Sequence, residues 1–310
     1  MKDGEAEDVR QSEEYGKYME RIGWKTVRIQ SEFKPKVTKY TQLFIRKLGP
    51  VSVAKMQRVN LPLPWSEIDK VLRENRVMMC KLEPLSISPC HPPLKFSPAA
   101  RVFAVRGGNS EGVIPAGFRQ DNWPLLGTKT LRVDLSRPLG LIRQSFKKDA
   151  RYCLRRVHGS PSKVSKNHFE DFYQIWKKSG KIKRLWIPSE RSYQALVEVF
   201  GEKAFCVTVN NLAGCLVLTH ERTAYYYYSG ALPEGKRFNL PYLVVWEAMK
   251  EAKKRGCKQW DFEGIYDSRW PNKGWRGFSH FKKSFDGIEV EFPGCFTKWM
   301  WPFPLGRRVF

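Results

Sequence analysis

AYYYYSGALPEGKRFNLPYLVVWEAMKEAKKRGCKQWDFEG, residues 224–264, runs through three elements in a row. The four tyrosines before Ser229-Gly230 read as a strand, because aromatic side chains suit a pleated, half-buried surface. PYLVVWEAMKEAKKRGC carries its apolar residues on one stripe and stops at Gly256, which predicts a helix with a glycine C-terminus. KQWDFEG then returns to strand. Upstream, AFCVTV–NNLAG–CLVLTH–ERT reads as two more strands joined by short turns, so the tyrosines end an antiparallel meander. Meander, helix, strand is an α+β unit, and the same order recurs more faintly in residues 24–88.

Working outward, QSEEYGKYMERIGW reads as a helix capped by Ser12, and TKTLRVDLS as a strand. PLGLIRQSFKKDARYCLRRVHG reads as one helix stopped by Gly159, followed by helices in NHFEDFYQIWKKSG and SERSYQALVEVF. GFSHFKKSFDG, residues 277–287, alternates like a strand, with Phe281 and Lys283 facing away from Lys282. The expected division is one subdomain over residues 1–135, able to recruit 290–310, and a second over 136–289.

The chain of 310 residues has 42% hydrophobic residues and a formal net charge of +24, a globular composition that favours phosphate-bearing partners. Seven cysteines form no C-x-x-C pair, and Cys90-His91 is the only Cys/His neighbour pair. No metal site is therefore expected, and buried thiols in a reducing compartment fit better. The acidic, polar start and the lack of an eighteen-residue apolar run lead to the expectation of a cytoplasmic protein. Hydrolase, Walker, zincin and dinucleotide signatures are all missing. GGNSEG at 107–112 has no phosphate-loop lysine and reads as a surface turn.

Residues 145–186 hold twelve Lys or Arg against three acids, a footprint suited to a nucleic-acid backbone. Lys147, Lys148, Arg151, Arg155 and Arg156 lead that run, and aromatics interleave with it as base-stacking groups would. A solvated helix face with its aromatics turned inward would look the same.

The α+β unit is the arrangement of a GNAT-type acyltransferase, although Phe238, Asn239, Leu240 and Pro241 stand where a pyrophosphate turn would need glycine. QSEEYGKYMERIGW, LRVDLSRPLGLIRQSFKKDARYCLRR, residues 224–265 and HFKKSF together resemble the Fem family, the FemA/FemB/FemX peptidyltransferases of peptidoglycan bridge formation. The resemblance covers about Gln11 to Phe296. It implies two tandem GNAT-like subdomains, without the coiled-coil arm of FemA and so similar to FemX. It also implies transfer of an amino acid from aminoacyl-tRNA to the stem-peptide amine of a peptidoglycan precursor, nucleotide- or lipid-linked. No other cofactor is implied, and the state expected is a monomer.

By the same resemblance Phe281-Lys282 is the catalytic pair, with the lysine supporting the oxyanion of ester aminolysis. Tyr15 and Lys17 would meet precursor phosphates, with Arg184 (or Arg191) as a second phosphate ligand. Tyr226 and Tyr228 would lie on a substrate-contacting strand. Read from the residues alone, Lys17 fits an exposed helix lysine, and Tyr225 to Tyr228 fit an ordinary two-faced strand. Asp261 and Glu263 fit either a general base or a loop cap. The tail FTKWMWPFPLGRRVF suits peripheral membrane contact or packing back on the first subdomain. A GNAT-like N-acyltransferase with another donor, and a non-enzymatic RNA-binding protein, are the alternative functions.

Overall fold

The computed structural model describes residues 7–31, 39–86, 114–158 and 162–300. In chain order the elements begin α1 (Glu13–Arg21), β1 (Lys25–Ser31), β2 (Lys39–Leu48), β3 (Val51–Val59), α2 (Trp65–Glu74) and β4 (Val77–Pro84). Next come β5 (Arg119–Asp121), β6 (Lys129–Asp134), α3 (Leu139–Ser145), α4 (Lys148–His158), β7 (Val164–Lys166), α5 (Phe169–Ile182) and α6 (Glu190–Phe200). The meander β8 (Ala204–Val209), β9 (Ala213–His220), β10 (Thr223–Ala231) precedes α7 (Pro233–Arg237), α8 (Leu240–Lys254) and β11 (Gln259–Asp261). The chain then forms α9 (Arg276–Lys283), β12 (Ile288–Glu291) and β13 (Cys295–Trp299).

These elements fall into two units, Met19–Thr128 with Glu291–Phe310, and Met1–Tyr18 with Lys129–Val290. The expected border at 135/136 moves, because β6 pairs with β11 and so joins the second unit. Residues 7–18 also belong there rather than with the first. In the first unit a six-stranded sheet runs β1-β2-β3-β4-β13-β5, and only β3 and β4 are parallel neighbours. Helix α2 buries Ile68 and Leu72 in a core with Leu43, Ile45, Met56 and Leu82.

The second unit holds a seven-stranded sheet in the order β12-β6-β11-β10-β9-β8-β7. Helix α8 buries Leu243, Val244, Met249 and Ala252 against the face carrying Phe205, Val207 and Val217. Its end is set by Gly256 at φ +86°, with the N–H of Cys257 bonded to the Ala252 carbonyl, a left-handed cap that a Cβ would strain. Helix α5 packs on the same sheet through β10, β9 and β8. At Gly230 an added Cβ would lie 2.8 Å from the Trp176 Cα, so only glycine lets helix and strand backbones approach this closely. Both units therefore have the order meander, helix, parallel strand, an α+β fold of two sheet-containing units. α8, at 15 residues, is the longest helix among the described residues, and no coiled-coil arm occurs among them.

Two local expectations are corrected. GFSHFKKSFDG is not a strand: α9 covers most of it, and Phe281 and Phe285 lie one turn apart so that both reach Tyr242. The single helix expected over 138–158 is two, α3 and α4. Phe146 is extended at ψ 146° and buried edge-on against Trp246 and Phe285, and filling that core site breaks the helix. Gly159, Cys90-His91, GGNSEG and residues 301–310 of the tail lie outside the described residues.

Candidate active site

The site is built where β10 and β11 part. They are hydrogen-bonded in parallel over three register pairs, ending at Tyr225–Asp261, after which β10 continues with β9 alone. A bulge then shifts the β10 register between Tyr226, opposite Val217, and Tyr228, opposite Leu216. The extra residue puts Tyr226 and Tyr228 on opposite faces. Tyr226 joins Trp260 and Phe262 in the α8 core, while Tyr228 stacks on Trp176 of α5 with ring centroids 4.1 Å apart. The two tyrosines expected on a substrate-contacting strand thus face apart, on either side of Tyr227.

Lys282 enters this opening from the last turn of α9, where a cation also meets the negative end of the helix. Its Nζ donates to the carbonyls of Phe262 and Gly264, each at 2.7 Å, and lies 5.8 Å from the Tyr226 ring and 4.8 Å from that of Phe278. Burial draws the ammonium down to about 8, although Glu263 and Asp261 lie near enough to oppose the shift. An ammonium has three donors, so two carbonyl bonds leave one for a substrate oxygen. Phe281 does not enter the opening by any ring contact of its own with Lys282; it packs on Tyr242 at 4.9 Å and on Phe285 at 5.3 Å. Lys283 pairs with Glu289 at 2.5 Å, so the two neighbouring lysines differ in environment.

The carboxylates beside Lys282 are committed elsewhere. Asp261 Oδ1 accepts from Thr130 Oγ1 at 2.6 Å and from the Glu263 N–H at 2.8 Å, and Oδ2 accepts from Arg132 Nε at 2.9 Å. Asp261 is therefore a loop cap as well as an ion-pair partner. Glu263, at φ +63°, forms a two-toothed pair with Arg10, whose guanidinium also reaches Asp8. Burial raises the Glu263 carboxyl despite the Arg10 charge. Burial alone would lower the Arg10 guanidinium, but Glu263 and Asp8 more than offset it and hold it above its ordinary value. Sequence reasoning missed Arg10 and Arg132: Arg10 falls just before the QSEEYGKYMERIGW stretch, and Arg132 lies within LRVDLSRPLGLIRQSFKKDARYCLRR without any local sign of its partner.

The remaining expected residues are scattered. Tyr15 is buried in the second unit, where its hydroxyl accepts from Tyr227 at 3.4 Å. Lys17 is exposed and pairs with Glu13 at 2.7 Å. Arg184 is exposed in the turn after α5 at φ +54°, and Arg191 is exposed at the start of α6; neither makes a hydrogen bond or ring contact with Lys282. Lys147, Lys148, Arg151, Arg155 and Arg156 are all exposed, because Ala150, Leu154 and Val157 turn the apolar stripe of α4 inward. The Lys147 N–H donates to the Ser284 carbonyl at 2.8 Å, so this basic face begins beside the end of α9. Elsewhere among the described residues, donor atoms of Glu7, His220 and Glu221 lie within 4.8 Å of one another, at the end of β9 and away from Lys282's contacts. No helix among the described residues is long and apolar enough to cross a membrane.

Two units of meander, helix and parallel strand, one opened beside a partly buried lysine, define a tandem GNAT-type fold. A family model described as the FemAB family matches residues 207–304, the segment that contains the opening and α9. The solved structure of FemX is similar over 96% of this chain and 94% of its own, with a TM-score of 0.73 at 14% identity. The family-model match covers about a third of the chain, and the likeness to FemX is one of fold. The C-terminal domain of a putative lysylphosphatidylglycerol synthetase from Agrobacterium fabrum is also similar, with a TM-score of 0.55, 11% identity, and 92% and 87% of the two chains covered. A tandem GNAT protein from the clavulanic acid biosynthesis pathway follows at 0.50, with 10% identity and coverage of 89% and 84%. No curated protein sequence matches significantly.

Proposed function

We propose that the protein is an aminoacyl-tRNA-dependent transferase that adds an amino acid to the stem-peptide amine of a peptidoglycan precursor. The observation that carries this reading is Lys282, an ammonium fixed by two carbonyls with one donor left for an oxyanion. In the reaction, the acceptor amine attacks the ester carbonyl carbon and an amide C–N bond forms. The ester C–O bond then breaks, and the ribose oxygen leaves with a proton while the amine loses one. Negative charge develops on the carbonyl oxygen, where a preformed cation in a partly dry site stabilises it. Support for a tRNA donor comes from α4, whose basic face starts next to α9 and can hold the acceptor-stem phosphates while the charged end reaches Lys282. Tyr15, Lys17 and Arg184 belong to this proposal as precursor-phosphate contacts, and Tyr226 as the aromatic wall beside the oxyanion-stabilising lysine.

The test is donor choice. Purified protein given aminoacyl-tRNA and either a nucleotide-linked or a lipid-linked muropeptide should consume the ester and extend the stem peptide. Turnover with acyl-CoA in place of charged tRNA would overturn the donor assignment, and tRNA binding without turnover would favour a non-enzymatic RNA-binding role.

A further inference from the structure

Helix α5 ends in a turn that displays apolar side chains instead of burying them. The Arg184 N–H bonds the Lys181 carbonyl at 3.1 Å, the Leu185 N–H bonds the Gly180 carbonyl at 2.9 Å, and Arg184 sits at φ +54°. This is a Schellman cap, which usually packs its last residue on the side chain three positions inside the helix. Here that inner position is Gly180, over which Ile187 closes instead, its Cγ2 3.0 Å from where a Cβ would be. Leu185 is left without its usual contact. Ile182 is 59% exposed, Leu185 60% and Trp186 86%, and Phe238, between α7 and α8, is 58% exposed. The ends of α5 and β10 are tied by Ser179 Oγ, which donates to the Ala231 carbonyl at 3.1 Å, so the α7 segment starts next to the turn. Desolvation, and after it the charge of Lys236, draw the Lys183 ammonium below its ordinary value.

We propose that this surface, the residue 182–186 turn with Phe238, docks on an anionic lipid bilayer. Charge selects the occupant. Lys177, Lys178, Lys181, Lys183 and Arg184 are exposed, and no acidic residue occurs between Asp171 and Glu190. A second copy of the chain would bring equal positive charge against it, whereas anionic headgroups attract it. Nucleic acid would also be attracted, but Ile182 and Leu185 offer bases neither a stacking face nor a hydrogen bond. They gain only by entering hydrocarbon, beside a Trp of the kind that settles at headgroup depth.

The test uses the full chain and co-sedimentation with vesicles of mixed phosphatidylglycerol and phosphatidylcholine, or of phosphatidylcholine alone. Wild type should partition onto the anionic vesicles and release at high salt, with little binding to the neutral ones. A Leu185→Asp/Trp186→Asp variant, both positions being exposed, should keep its circular dichroism and lose at least tenfold in partition while retaining tRNA affinity. The proposal is overturned if wild type stays in the supernatant or if the double variant partitions like wild type. Loss of tRNA affinity with vesicle binding unchanged would also overturn it, and would assign the surface to nucleic acid.

Discussion

The parallel pairs β3–β4 and β10–β11 occupy the same place in their two units and behave differently. β3 and β4 stay paired from Ser52–Val77 to Val59–Pro84, through two register shifts. β10 and β11 share three pairs and then part, with the bulge at Tyr226/Tyr228 just beyond. Where the ladder stays closed, its backbone groups satisfy one another and the side chains form an ordinary core. Where it opens, the carbonyls of Phe262 and Gly264 need other partners, and Lys282 supplies them. One order of elements thus yields either a sealed sheet or a site, and the difference is a few missing strand pairs.

The comparison can be broken most forcefully at Arg10. Arg10→Ala leaves Glu263 buried without its ion-pair partner and should cost about 3–5 kcal/mol in denaturant unfolding. A loss below about 1 kcal/mol would mean that the pair does not hold the opened end together. Lys282→Ala should lower single-turnover transfer per folded molecule by roughly 10²–10³, about 3–4 kcal/mol, and cost about 1–3 kcal/mol of stability for the carbonyls left unpaired; a rate equal to wild type would remove the lysine from the chemistry. In the closed ladder the pattern should invert. Met56→Ala, at a fully buried position, should cost about 3 kcal/mol of stability and leave turnover per folded molecule intact.

The charge of Lys282 gives a finer probe. With its ammonium near 8, the cation is present below that pH and lost above it. Lys282→Arg stays charged throughout. The ratio of wild-type to Lys282→Arg rate should therefore fall about tenfold between pH 7 and pH 9. A ratio that rises instead would make Lys282 a base rather than an oxyanion partner. The smallest effect is expected at Lys283→Ala, which removes a partly exposed pair with Glu289. Its cost should be under about 1 kcal/mol by thermal melting, with transfer unchanged.

Much of the fold was legible because burial imposes a period. The meander, α8 and β11 were readable from alternation, then a helical stripe, then alternation again. The α9 segment was misread although Phe278, Phe281 and Phe285 already stand at helical spacing, because an eight-residue helix offers too short a window to separate the two periods. The break at Phe146 had no local sign at all; the surrounding helical pattern is continuous, and Trp246 and Phe285 decide it.

By itself the sequence determined the meander, helix and strand order within each unit, the concentration of basic residues over 145–186, and the likeness that singles out Lys282 from Lys283. Those rest on local periodicity and on motif. Only the tertiary structure decided which carbonyls hold Lys282, that Tyr226 and Tyr228 face apart, and that Glu263 answers to Arg10, 253 residues away. The physical reason is range: a period reports which face of an element is buried, whereas an ion pair, a bulge or a freed carbonyl depends on which distant element arrives against it.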